Sequence, residues 1–156
     1  MTGYTSVRVE LWSAQLMWLT QFAPWSHAVT VTFKKNRDGR MVTPVQMRET
    51  IRHLYNLIDR ACYRSRARRG KNRIGSFAVY DLGPFGKHPH AHMTLAAPIG
   101  LGHDEFSRII RAAINRTALL DRQFKVESFT SEGWFRYCLK HQDFELNLEL
   151  IRPPKY

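Results

Sequence analysis

The sequence predicts an α+β domain in which helices pack against a central five-stranded antiparallel sheet. Three observations predict it. Segments of strand length recur along the chain: HAVTVTFKK (27–35), rich in β-branched residues and alternating, then IGSFAVYDL (74–82) and HAHMTLAA (90–97). Between and after them lie segments with helical periodicity. The glycine- and proline-containing GPFGK (83–87) closes the second and third strands into a hairpin. With 156 residues and 44 % hydrophobic content, the chain suits one domain spanning 1–156.

Each element has its own signal. Residues 4–22, with Val7, Val9, Leu11, Leu16 and Leu19, read as an additional N-terminal helix stopped by Pro24. The first strand covers 27–35, and NRDGR (36–40) is a turn. From Pro44, a favoured first helical residue, the apolar positions Ile51, Leu54, Tyr55, Ile58 and Cys62 define one helix face. Arg48, Arg52 and Arg60 occupy its other face. Asp104 and Glu105 suit a helix start, followed by the apolar stripe Phe106, Ile109, Ile110, Ala113 and Ile114. A fourth strand is expected over 123–130, and a short helix over 132–141 capped by Ser131. A fifth strand is expected in the alternating FELNLELI (144–151).

Charge narrows the class of partner. The formal net charge is +11. Residues 34–73 hold thirteen Lys and Arg against Asp38, Glu49 and Asp59, so +10 falls in that segment. Such a field favours a polyanion, most commonly nucleic acid. Its arginine excess suits bidentate phosphate contact. No apolar run is long enough to span a bilayer, and Arg8 and Glu10 interrupt any signal-peptide core. Cys62 and Cys138 lack paired spacing and read as small buried hydrophobes in a reducing compartment.

The chemistry-bearing stretch is HPHAHMTLAAP (88–98). In an extended chain His88, His90 and His92 project to one face while Ala91, Met93 and Leu95 project to the other. Neutral imidazoles ligate divalent metals. The hairpin through GPFGK brings Asp81 back beside the histidine row as a third ligand. Downstream, GWFRYCLKH (133–141) places Trp134, Tyr137, Lys140 and His141 along one side of a helix. Tyrosine is a weak nucleophile at its ordinary pKa of about 10. A neighbouring lysine and a metal are what such a nucleophile needs.

An acidic residue nine positions before a His-hydrophobic-His pair, followed by Tyr-x-x-Lys on a later helix and preceded by HAVTVTF, resembles the HUH endonuclease superfamily. The likeness is to the single-tyrosine initiators of rolling-circle replication in plasmids and viruses. It covers roughly residues 27–141. It implies the HUH, ferredoxin-like Rep nuclease fold, with Asp81, His90 and His92 as metal ligands, Tyr137 as nucleophile and Lys140 as its companion. His88 is a departure from the pattern, a further candidate ligand or a DNA contact. HAVTVTF matches a motif that is structural in the family.

What the resemblance implies is transesterification on single-stranded DNA at a replication origin, assisted by Mg²⁺ or Mn²⁺. A 5′-phosphotyrosine and a free 3′-hydroxyl result. Lys140 either helps deprotonate Tyr137 or neutralises the phosphorane. Lys34, Lys35, Arg37, Arg64, Arg66, Arg68, Arg69, Lys71 and Arg73 are the candidate DNA contacts. The sequence shows no GxxxxGK loop followed by Ser or Thr, so a host helicase and polymerase are expected partners, and no membrane. The expected compartment is a prokaryotic cytoplasm, or the nucleus of a eukaryotic host.

Two alternatives stay open. Single-domain HUH transposases place a metal ligand one turn after the tyrosine, where His141 stands. A non-catalytic basic nucleic-acid-binding domain would use the histidines structurally.

Overall fold

Strand pairing builds one five-stranded sheet in the order β4-β1-β3-β2-β5. The computed structural model describes residues 3–35, 38–83, 87–139 and 151–156, with side chains from Ser13 onward, that of Arg68 excepted. In chain order the described elements are α1 (Gly3–Phe22), β1 (His27–Phe33), α2 (Pro44–Tyr63), α3 (Ser65–Arg68) and β2 (Gly75–Asp81). They continue with β3 (His90–Ala96), α4 (His103–Asn115), β4 (Leu120–Ser128), α5 (Gly133–Leu139) and β5 (Ile151–Arg152). Every neighbouring strand pair is antiparallel. β1 and β2 therefore run the same way with β3 between them, and α2 makes the crossover. This is a split βαβ arrangement, and the predicted α+β class with a five-stranded antiparallel sheet is the one observed.

Alternation along each strand sorts residues onto two faces. Val29, Val31, Met93 and Leu95 are fully buried on one face, under Ile51, Leu54 and Ile58 of α2 and Phe106, Ile110 and Ile114 of α4. On the other face Phe77 and Val79 pack with Leu16 and Leu19 of α1 and with Phe135, Cys138 and Leu139 of α5. The sheet is thus covered by helices on both sides.

Local signals account for most boundaries. Thr43 and Gln46 form a reciprocal capping box ahead of Pro44: the Gln46 amide donates to Thr43 Oγ1 at 3.2 Å and the Thr43 amide to Gln46 Oε1 at 2.9 Å. Asp104 and Glu105 occupy the first turn of α4. Several expectations need correction. β1 stops at Phe33, leaving Lys34 and Lys35 beyond the strand. β4 runs from Leu120, earlier than expected, because Leu120 is buried and pairs with Phe33 across a register shift. The short α3 inside the arginine-rich RSRARR was not anticipated. Cys62 is half-buried, not fully buried. The α5 helix begins at Gly133, whose amide donates to Ser131 Oγ at 3.3 Å. The expected fifth strand at 144–151 falls almost entirely outside the described residues. The described β5 pairs Ile151 with Phe77 and Arg152 with Ser76.

Candidate active site

Towards the C-terminal end of β2, the sheet face that α5 covers becomes polar. The register sets Asp81 of β2 opposite His90 of β3, and His90 opposite Thr32 of β1. Two residues further along, Val79, His92 and Thr30 form the next row, and Lys125 of β4 extends it beyond Thr30. Ala91, Met93 and Leu95 point into the opposite core.

Hydrogen bonds orient the two imidazoles. Nδ1 of His90 lies 2.8 Å from the carbonyl oxygen of His88. A carbonyl only accepts, so Nδ1 carries the proton and donates, and Nε2 of His90 becomes the ligand-competent nitrogen. That nitrogen stands 3.7 Å from Asp81 Oδ2. The other carboxylate oxygen, Oδ1, accepts from the Gly83 amide at 2.7 Å. His92 is 6 % exposed, with Nδ1 3.1 Å from Thr30 Oγ1. When Nδ1–H donates to Thr30, the lone pair of His92 sits on Nε2.

The α5 helix carries its aromatics to this spot. Trp134 Nε1–H donates to the buried Thr94 Oγ1 at 3.0 Å, tying the helix to β3. Tyr137 stacks on Trp134 with ring centroids 5.8 Å apart. It also meets the His92 ring edge-on at 5.1 Å. His90 and His92 are themselves edge-to-face at 4.8 Å. Tyr137 nevertheless remains 46 % exposed, so a polymer can approach it.

The donor set suits a hard-to-borderline divalent ion in chemistry: two imidazoles and one carboxylate. Two donors about 2.1 Å from one ion, at angles of about 90–120°, stand about 3.0–3.7 Å apart. The His90–Asp81 pair has that spacing. The third ligand does not close on the pair: among the described residues no three His, Cys, Asp or Glu are grouped closely enough to hold a metal ion.

The other expected site residues are scattered. His88 is exposed and lies before the strand, separated from the His90–His92 row by Pro89. Its contribution here is its backbone carbonyl, which corrects the reading of three histidines in line. Lys140, His141 and Arg37 lie outside the described residues, as does the side chain of Arg68. Lys34 and Lys35 are exposed just past β1, at the site's end of the sheet, and Lys34 Nζ donates to the Ala118 carbonyl at 3.3 Å. Arg64, Arg66, Arg69, Lys71 and Arg73 precede β2, whereas Asp81 ends it. Six strand steps of about 3.3 Å each put this cluster about 20 Å from the site along the sheet. Sequence reasoning missed Thr30, Thr94 and Lys125. Their strands were legible, but which strands become neighbours was not.

No protein-family model matches this chain, and neither a curated protein nor a solved structure matches it. Among the described residues, no helix is long and apolar enough to cross a membrane.

Proposed function

We propose that this chain nicks and rejoins single-stranded DNA through Tyr137 and thereby initiates rolling-circle replication at an origin. One observation carries the reading: the exposed phenol of Tyr137 stands beside His92, on the sheet face where His90 and Asp81 are paired. The sequence likeness assigns Mg²⁺ or Mn²⁺ to Asp81, His90 and His92, of which the Asp81–His90 pair has ion-bridging spacing in this structure; a bound ion would supply charge withdrawal from the scissile phosphate.

In this reading the Tyr137 oxygen forms a bond to phosphorus as the P–O3′ bond breaks. The 5′-phosphate stays esterified to tyrosine, and the 3′ oxygen takes up a proton and leaves as a free hydroxyl. One phosphodiester is exchanged for another, so the reverse reaction rejoins the strand without ATP. Trp134, anchored to Thr94, holds the phenol in position. Lys34, Lys35 and Lys125 offer cations to the backbone at the same sheet end. Lys140 is the proposed companion of Tyr137. Helicase and polymerase functions fall to the host, with the host cytoplasm or nucleus as the compartment.

The net charge of +11 also suits a second reading, a basic nucleic-acid-binding domain without catalysis. Incubation with radiolabelled origin single strand and Mn²⁺ separates the two. A denaturant-resistant protein–DNA band that disappears in Tyr137→Phe supports the nuclease. No band with any origin strand supports the binding module, and a band that survives Tyr137→Phe removes Tyr137 as nucleophile. Loss of the band in His141→Ala, with Asp81→Asn tolerated, would point to the transposase arrangement.

A further inference from the structure

The sheet face opposite Tyr137 carries a cleft between α2 and the β2–β5 edge. Its walls are Arg48, Arg52, Tyr55, Tyr80 and Arg152, over an apolar floor at Ile51. We propose that this cleft is a phosphate-binding site that takes the phosphate of a nucleotide. The inference is independent of the chemistry assigned to Tyr137.

The cleft concentrates three cations, two of which make no ion pair among the described residues. Arg48, Arg52 and Tyr55 are spaced i, i+4 and i+7, so they share one stripe of α2. Arg48 and Arg52 are exposed and make no ion pair among the described residues. Like charges at i, i+4 repel, and an anion between them relieves that repulsion. Arg152 is held in place by Asp59, its Nη2 donating to Oδ2 at 2.5 Å, and by the Tyr55 ring 5.2 Å below its guanidinium. Three guanidiniums against the one carboxylate leave the locality about two charges positive.

The two tyrosines of the cleft play different parts. Tyr55 is 5 % exposed, and its buried hydroxyl lies beside that of Ser76, close enough for the two to hydrogen-bond to each other, so its ring and not its O–H forms the wall of the cleft. Burial pushes the Tyr80 phenol up to about 12, while Arg48 and Arg52 pull against that shift, which places both cations near its hydroxyl. Forked guanidinium donors and a phenolic O–H match the several acceptor oxygens of a phosphate.

Such a phosphate is carried either by a free nucleotide or by a DNA backbone. Calorimetric titration of the full chain with inorganic phosphate, dTMP and a dT 12-mer tests the site. The Arg48→Ala/Arg52→Ala variant is expected to weaken binding at least tenfold. The control Arg108→Ala/Arg116→Ala, with the same charge loss on α4 and at its C-cap, should stay within about twofold. If dTMP binds as tightly as the 12-mer, the source is a free nucleotide. If the tenfold loss appears only with the 12-mer, it is a backbone phosphate. Should the double variant misfold, shifts of the Arg48 and Arg52 Nε–H resonances in the wild type on adding dTMP or the 12-mer serve instead. Equal loss in both variants, or no shift at those resonances, overturns the proposal.

Discussion

The backbone carbonyl of His88 accepts a hydrogen bond from Nδ1 of His90 at 2.8 Å. This bond turns the His90 lone pair on Nε2 towards Asp81. One neighbouring histidine thus orients another through its main chain, in the way outer-shell carbonyls orient ligating imidazoles. Asp81→Asn or His90→Ala is therefore expected to weaken Mn²⁺ binding about 10–100-fold. His88→Ala, which keeps the carbonyl, should leave it within about threefold. Mn²⁺ titration followed by electron paramagnetic resonance measures all three. Strong loss in His88→Ala would instead make its side chain a ligand.

Gly83 sets the approach of His88 to Asp81. Its φ is +66°, and a Cβ there would lie 2.8 Å from the His88 carbonyl oxygen. Gly100 has φ +81° with nothing within 4 Å of the corresponding position. Gly100→Ala should cost about 1–2 kcal/mol, the ordinary left-handed penalty. Gly83→Ala should cost more, because backbone must also move. Urea unfolding of the two variants gives the comparison, and equal costs would mean that the His88 carbonyl yields freely.

His27 makes stability depend on pH. It is fully buried, stacked on His103 at 4.1 Å, with Nε2 2.9 Å from Ser107 Oγ and Nδ1 2.8 Å from Ser26 Oγ. Burial, reinforced by His103, lowers its pKa to about 4. The unfolded chain therefore binds the proton first as pH falls. The stability that neutral His27 contributes is complete above about pH 6.5 and is lost as pH drops from there to about 4. The contribution is of order 3 kcal/mol at most. Urea midpoints at pH 4.5 and 7.5 should diverge more for the wild type than for His27→Gln. Equal divergence would show that other groups dominate the acid limb.

The elements themselves were legible wherever a local pattern had a single outcome. Helix α2 begins at Pro44, and four of its five named apolar positions are buried, because a stripe at helical spacing has one way to reach a core. The His90–His92 face was legible for the analogous reason in a strand. Boundaries failed where a tertiary partner decided them. Leu120 joins β4 because Phe33 receives it, which no residue near Leu120 announces.

The sequence by itself determined the α+β class, the positive charge and the alternation that sends His90 and His92 one way and Met93 the other. These follow from spacing along one segment. Only the tertiary structure decided that β1 lies between β3 and β4, which brings Thr30 and Lys125 into the row of His92. It also decided that α5 lands with Tyr137 on that row, and that the arginines before β2 sit at the opposite end of the strand from Asp81. The physical reason is that strand neighbours are chosen by competition among distant segments for shared burial and backbone hydrogen bonds, and that competition is settled only when the whole chain folds.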